Sequence, residues 1–304
     1  MNAKSIICLA FAAILPAAGC QREGLSPAVR PVEANVVALR AAMGGDKGAA
    51  PAETVAAQEP TGFGTLRGKF LVLGTPPARP PLMIDKEQDV CAPGGKQVPS
   101  ETVVVGPGGE LQNAVIYLET KYKAGDPKWE HADDLAAMNA EIIFDQKVCR
   151  FLTRVAAMRS TQTMKVLNSD PVGHNTKLDG DGGARPDNFT VPSNSSAFYA
   201  PGGESQQPFP VSCSIHPWMS AWCLVRNSPH FAVTDKDGNF EIKHVPAGVQ
   251  LKFRVWQEKA KFISAATVAG KTDKPFGKGR LELTLEKDEV RELEFKIETK
   301  LLGG

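Results

Sequence analysis

After the first twenty residues no apolar run approaches the roughly 18 needed to cross a bilayer as a helix, so nothing downstream reads as a membrane span. An excess of one charge is also missing. The 35 basic side chains are matched by 34 acidic ones and alternate with them along the chain, which leaves no basic face to neutralise a phosphate backbone and argues against nucleic acid as a partner. Absent too are a glycine fingerprint for nucleotides, a nucleophile with its base and orienter, and a paired-carboxylate motif. Asp133 and Asp134 are adjacent, a spacing that on a helix points them apart. Hydrolysis is unsupported, and the chain reads as a carrier or binder without a catalytic motif. With 42% hydrophobic residues among 304 it is neither disordered nor collagen-like, and it is long enough for two ordinary domains.

What is present begins with an address. Lys4 precedes an apolar run from Ile6 to Ala18, broken at Pro16 and followed by Gly19 and Cys20. Small residues before a Cys suggest a lipoprotein signal peptide over 1–19, and the pattern resembles the bacterial lipobox with Ala17 where Leu is usual. Cys20 is then the lipidated residue. An ordinary cleaved signal would also export the chain, and the run is short for an uncleaved anchor. Residues 20–61, rich in Ala, Pro and Gly, read as a flexible tether. The expected location is the periplasm or the cell surface, with membrane contact only through the lipid.

From Gly64 onward short β-branched runs are separated by Gly, Pro, Asn and Asp clusters: 65–73, 101–105, 114–119, 140–144, 164–167, 209–211, 221–225, 239–243, 250–256, 280–285 and 292–297. This spacing predicts an all-β protein of the sandwich class. Leu251, Phe253 and Val255 alternate with Lys252, Arg254 and Trp256, and Leu281, Leu283 and Leu285 with Glu282, Thr284 and Glu286, which predicts one buried and one wet face. The stretch 122–139 breaks the pattern and marks a domain junction, with a helical turn predicted over 133–138. Asp235-Lys-Asp-Gly-Asn239 reads as a hairpin turn, because the remaining ligands and the flanking helices of a calcium loop are missing. The Gly-rich 179–183 has no following helix and reads as a connection, not a phosphate cradle.

Of six cysteines, Cys8 lies in the leader and Cys20 at the lipid site, leaving Cys91, Cys149, Cys213 and Cys223. In an exported chain four cysteines default to two disulfides, in any of three connectivities. Yet Cys213-Ser-Ile-His216-Pro-Trp-Met219 gathers thiolate, imidazole and thioether in one tight loop between two β-like segments, a donor set that suits copper. A Cys at a strand end, a His three residues on and a Met three further can curl onto one point. His174, in the turn-rich Asn168-Ser-Asp170-Pro-Val-Gly-His174-Asn175, is the obvious fourth ligand. Two His, one Cys and an axial Met make a trigonal site suited to one-electron copper chemistry.

The segment 141–226 resembles the cupredoxins, and its Cys-x-x-His-x-x-Met loop is similar to the short ligand loop of amicyanin, down to the Pro after the His. The whole body from Gly64 resembles the methylamine-utilisation-like cupredoxin proteins of planctomycete-type bacteria, through 168–175, Cys213 to Met219 and Asp235-Lys-Asp-Gly-Asn-Phe240. The resemblance implies a cupredoxin domain over 140–228 with one type 1 copper, His174, Cys213 and His216 as equatorial ligands and Met219 as the weak axial one. It implies that Asn175 pins the ligand loops together through backbone hydrogen bonds, and that Pro217 removes a backbone donor near the site. Trp218 would add apolar surface around an exposed edge of His216, where a redox protein such as a c-type cytochrome or a dehydrogenase would dock; a core aromatic is its other reading. Cys91 and Cys149 are expected to pair, since both lie outside the copper loop, leaving Cys223 as a buried thiol. A Cys213–Cys223 bridge is the rival that would destroy the copper reading. His131, His230 and His244 have no ligand partner at metal spacing and read as surface or satisfied histidines.

Residues 230–256, with Val245-Pro-Ala-Gly248 after the Asp-Gly turn, resemble the carboxypeptidase regulatory-like or transthyretin-like sandwich. Residues 62–125 and 229–300 would then form one discontinuous sandwich into which the copper domain is inserted; two consecutive sandwiches are the rival layout. The functional expectation is a membrane-tethered blue-copper electron carrier. A non-redox binding or scaffold lipoprotein, for carbohydrate or cell wall, and a copper carrier are the alternatives.

Overall fold

A computed structural model describes residues 58–304. The expected signal peptide, Cys20 and the tether as far as residue 57 lie outside the described residues. The described chain is all-β, its strands gathered in four sheets.

In the first sheet β1 (Gly62–Leu73) pairs antiparallel with β12 (Asn239–Ala247) and parallel with β17 (Val290–Glu298), and β15 (Thr267–Ala269) lies beyond β17. The second sheet runs β11 (Phe231–Val233), β2 (Val115–Leu118), β13 (Leu251–Gln257) and β14 (Lys261–Phe262), with β16 (Arg280–Leu283) also on β13. Arg291, Leu293, Phe295 and Ile297 of β17 are buried between exposed or half-buried neighbours, the period-2 pattern of a strand with one covered face. Their core includes Leu66, Phe70 and Ile242 from the first sheet and Ile116, Leu118, Phe253, Val255 and Leu283 from the second. Phe70 and Phe295 stack at 4.3 Å between ring centroids. β1 runs between two partners so closely that a Cβ at Gly68 would lie 1.9 Å from the Leu293 carbonyl oxygen, which explains a glycine in mid-strand.

The third sheet runs β4 (Val155–Arg159), β10 (Ser220–Arg226), β9 (Phe209–Ser212), β6 (His174–Leu178) and β7 (Asp187–Val191), and the fourth runs β3 (Glu141–Gln146), β5 (Thr163–Asn168) and β8 (Ser195–Tyr199). A separate core forms from Phe144, Met164, Val166 and Tyr199 together with Met158, Leu178, Phe209, Val211, Cys223 and Val225. The first two sheets thus form a first sandwich whose core draws on residues near both ends of the described chain, and the last two a second sandwich whose core draws on residues between them.

The two cores meet at a seam of Val115, Tyr117 and Trp256 against Val155 and Leu224. Here the alternation reading needs correction. Trp256, expected on the wet face of its strand, is 1% exposed, because the outer face of the second sheet is covered by the third. The Trp222 and Trp256 rings lie 5.0 Å apart. Arg226 crosses the same seam, paired with Glu204 at 2.7 Å, donating to the Leu118 carbonyl at 2.9 Å and lying 4.7 Å over the Tyr117 ring. A buried guanidinium is tolerable only with such partners.

Other differences from the sequence reading have local causes. Residues 101–105 form no strand and contribute only an isolated bridge, Val105 to Leu111. β7 and β8 show only Val191 and Tyr199 fully buried, and their polar outer positions hide them from a hydrophobic-run reading. The 235–239 segment is a turn, in which Asp235 accepts from the amides of Asp237 and Asn239 at 2.9 and 2.8 Å and Gly238 takes φ 73°. It is not a hairpin, since β11 and β12 on its two sides belong to different sheets. The helical turn of the junction spans Ala132–Ala136.

Trp256→Ala opens the seam and is expected to cost about 3–5 kcal/mol, read from the urea midpoint at constant m-value. His230, fully buried with its Nε2 donating to the Trp129 carbonyl at 3.2 Å, has its pKa lowered by burial to about 3 from an ordinary 6.5. Below 6.5 the unfolded chain takes up a proton that the folded chain refuses, so this residue's contribution is intact above that pH and is lost toward 3. Stability should fall with a limiting slope of about 1.4 kcal/mol per pH unit, and His230→Asn should flatten that slope when unfolding is compared at stepped pH.

Candidate metal centre

β9 ends at Ser212, and Cys213 opens a loop that closes on itself. The Met219 amide donates to the His216 carbonyl at 2.9 Å and the Cys213 amide to the Met219 carbonyl at 3.3 Å, after which β10 begins at Ser220. Antiparallel pairing of β6 with β9, Lys177 opposite Ser212 and Leu178 opposite Val211, carries His174 to the side of this loop. The sequence reading puts His174 in a loop; it is the first residue of β6, and strand register holds it there.

His174 Nδ1 lies 2.9 Å from His216 Nδ1, Cys213 Sγ lies 3.9 Å from His216 Nδ1, and the three donor atoms fall within 4.8 Å of one another. Both imidazoles are 0% exposed and Cys213 is 3% exposed. The sulfur accepts from the amides of Asn175 at 3.3 Å and His216 at 3.4 Å. Asn175 also ties strand to loop through its side chain, Oδ1 accepting from the Ser214 amide at 2.9 Å and Nδ2 donating to the Phe189 carbonyl at 3.2 Å. Met219 is buried in the same core, and Pro217 is exposed. Trp218 is half-buried, its Nε1 donating to the Cys149 carbonyl at 3.1 Å and its ring 5.1 Å from that of His216.

Two residues that the sequence reading omits complete the geometry. Asp170 Oδ2 meets His174 Nε2 at 2.8 Å while the carboxylate accepts from the amides of Val148 and Cys149 at 2.6 and 2.8 Å. Glu87 Oε2 meets His216 Nε2 at 2.5 Å. Asp170 lies four residues before His174, and a carboxylate at that offset is the signal that the sequence carries. Glu87 left none, being 129 residues from its partner. It is brought over the site by a segment joined to the second sandwich through the Cys91–Cys149 disulfide and by Lys86, whose Nζ donates to the Ile215 carbonyl at 3.0 Å. Cys213 and Cys223 are free thiols, so the rival bridge between them does not form. The exposed His216 edge does need correcting, because Glu87 and the disulfide-held segment cover it. His131 and His244, read as isolated, also come together with Asp133 in the first sandwich.

Each imidazole Nε2 faces a carboxylate and so carries the proton, which leaves each Nδ1 with a lone pair. Two such nitrogens at 2.9 Å beside a sulfur, away from water, need a cation between them, either a proton or a metal ion. Burial raises the Cys213 pKa, but His174 and the amides of Asn175, His216 and Ile215 outweigh it and bring the thiol down to about 6. Burial lowers the His174 pKa, but Asp170 and the Cys213 sulfur outweigh it and raise the group to about 9. Without metal the pair is a thiolate beside an imidazolium. Cys223 shows the contrast, since burial alone acts on it and pushes its pKa up, leaving an inert thiol. An anionic sulfur and two imidazole nitrogens, once His174 gives up its Nδ1 proton, fit a soft or borderline ion such as copper.

Asp170→Asn removes the acceptor that orients His174 and is expected to weaken metal retention roughly 10–100-fold in competition with a chelator, as loss of a carboxylate behind a ligating histidine does elsewhere. Retention unchanged in that variant would show that strand register alone fixes the ring.

No family model matches the chain, and no curated protein matches it. Among solved structures it is similar to a copper-containing nitrite reductase from Thermus scotoductus, at 16% identity over 28% of this chain and 22% of that chain with a TM-score of 0.26. It is also similar to a reduced amicyanin variant, at 15% identity over 38% of this chain and 99% of that one with a TM-score of 0.25. Amicyanin from Paracoccus versutus gives 16% identity over 36% and 97% of the two chains, with a TM-score of 0.25. At TM-scores this low neither fold nor activity is carried over from them.

Proposed function

We propose that this chain is a type 1 copper protein that passes single electrons and acts as a carrier without a catalytic site. The observation that carries the reading is the facing pair of Nδ1 atoms beside the Cys213 sulfur, each ring held from behind by a carboxylate. His174, Cys213 and His216 would hold the copper, with Met219, buried in the same core, as the further sulfur. A bound copper supplies reversible one-electron exchange there. The chain's own residues supply the rest. Asp170 and Glu87 stop the rings from turning, the Asn175 and His216 amides fix the sulfur, and the core around Met219 keeps water out. Ligands held at both ends move little when the charge at the site changes, which favours fast transfer.

Burial also bears on the choice between an electron carrier and a copper-delivery protein. Delivery needs ligands within reach of the recipient, whereas here all three lie at or below 3% exposure. Retention fits electron transfer better. Export with lipidation at Cys20 belongs to the same reading, as does a redox protein such as a c-type cytochrome or a dehydrogenase as partner. That partner would meet Glu87 and Trp218 before His216.

In the copper-loaded protein Cys213→Ser should abolish the intense thiolate-to-copper absorption, whereas Met219→Leu should keep the colour and raise the reduction potential, both read by visible spectroscopy and voltammetry. An unchanged spectrum in the Cys213 variant would overturn the assignment.

A further inference from the structure

We propose a second metal site, for a borderline divalent cation such as Zn²⁺, built in the first sandwich from His131, Asp133 and His244 with Asp134 as the residue that positions His244. It is independent of the copper reading. Two segments more than a hundred residues apart make it: the start of the helical turn Ala132–Ala136, and a place on β12 where pairing with β1 slips between Gly64 and Leu66. That slip is a bulge at Lys243 and His244, and His244 adopts φ 53°, the left-handed region. Bulges re-aim a side chain out of the regular alternation. Here the re-aimed ring meets the helical turn, stacking on His131 at 4.0 Å between centroids.

The hydrogen bonds fix which nitrogens carry lone pairs. His131 Nδ1 accepts from the Asp133 amide at 3.2 Å, so it is the unprotonated nitrogen of that ring, and a cation would draw its one lone pair away from that amide. His244 Nδ1 lies 3.1 Å from Asp134 Oδ2 and therefore carries the proton, which leaves the lone pair on Nε2. That lone-pair nitrogen is 3.9 Å from Asp133 Oδ2, and His131 Nδ1 is 3.5 Å from the same oxygen. All three donor atoms lie within 4.8 Å of one another. Two bonds of about 2.1 Å at a tetrahedral angle put donors about 3.4 Å apart, so a cation would draw the donors together and turn the rings out of their stack. Asp134 behind His244 repeats the carboxylate–histidine–metal arrangement. Two imidazoles and one carboxylate suit Zn²⁺, Ni²⁺ or Cu²⁺ over the hard cations, which prefer all-oxygen sites. A cavity of about 580 Å³, lined by residues 61–65, both histidines and residues 287–289, leaves room for water to complete the shell.

The test uses the full chain carrying Cys213→Ser, which silences the thiolate centre, titrated with Zn²⁺ by calorimetry and with Co²⁺ by visible absorption. One equivalent should bind, and affinity should fall tenfold or more in His131→Gln and in His244→Asn, the latter chosen because Asn tolerates the left-handed backbone. Asp126→Asn, outside the cluster, should bind as the parent does. Should a histidine variant fail to fold, protection of His131 and His244 in the parent from diethyl pyrocarbonate by Zn²⁺, read by mass spectrometry, decides instead. No uptake by the Cys213→Ser chain, uptake indifferent to both histidine substitutions, or no protection would each overturn the site.

Discussion

Two imidazole nitrogens held 2.9 Å apart inside the protein, a spacing that a proton or a metal ion must bridge, are the constraint around which the second sandwich is arranged. Left alone, His174 and His216 would be free to turn apart. Asp170 and Glu87 prevent this by holding the opposite nitrogens. Asp170 is in turn fixed by two backbone amides, so its orientation is set by the turn at Val148 and Cys149, where both residues take positive φ. The strain of that turn is local, and its return is a carboxylate that cannot swing away. The same Cys149 enters the disulfide and offers its carbonyl to Trp218, so one short turn supports both histidine partners and the loop's aromatic.

The segment that carries Glu87 shows why the centre is closed. It packs Ile84 and Val90 against the second core, and Cys91 joins it covalently to Cys149. Glu87 takes φ 45°, a conformation that local sterics disfavour and that the surrounding tie points maintain. The first sandwich acts further off, through the seam. Arg226 there reaches the Leu118 carbonyl and Glu204, and Arg154 pairs with Glu258 at 2.8 Å, so β4 and β10 are held from outside while their inner faces line the core that contains Cys213 and Met219.

How much of this was legible follows from sequence distance. Cys213 and His216 sit within one short loop, and His174 stood in a motif of turn residues, so residue type and spacing pointed to the three side chains that the fold brings together. The class was legible from β-branched runs punctuated by turn residues. Strands such as β7 and β8 were not, because their outer positions are polar and only one residue in each is fully buried. Trp256 misled for the opposite reason. Alternation along a strand reports which face differs from the other, and it is silent on whether a second sheet covers the outer one. Glu87 and the pairing of His131 with His244 depend on tertiary contacts between distant segments, which no local pattern encodes.

Closure of the centre bears on what the proposed redox partner would recognise. The chain carries a formal net charge of +1, so long-range steering toward a partner is weak and recognition must rest on the surface near the site. With His216 fully buried, the groups nearest it on the outer side are the Glu87 carboxylate, 44% exposed, and the half-buried Trp218 ring. A carboxylate bonded to a ligand ring offers a short polar contact that a basic partner surface could meet, and the indole beside it offers apolar area at little entropic cost. In the copper reading a bound copper would supply the electron exchange, and Glu87 and Trp218 would stand between it and a partner where a bare histidine edge would otherwise be. The gain is a ligand held at both nitrogens and shielded from water, so the disulfide-held segment trades accessibility for a fixed, dry coordination geometry.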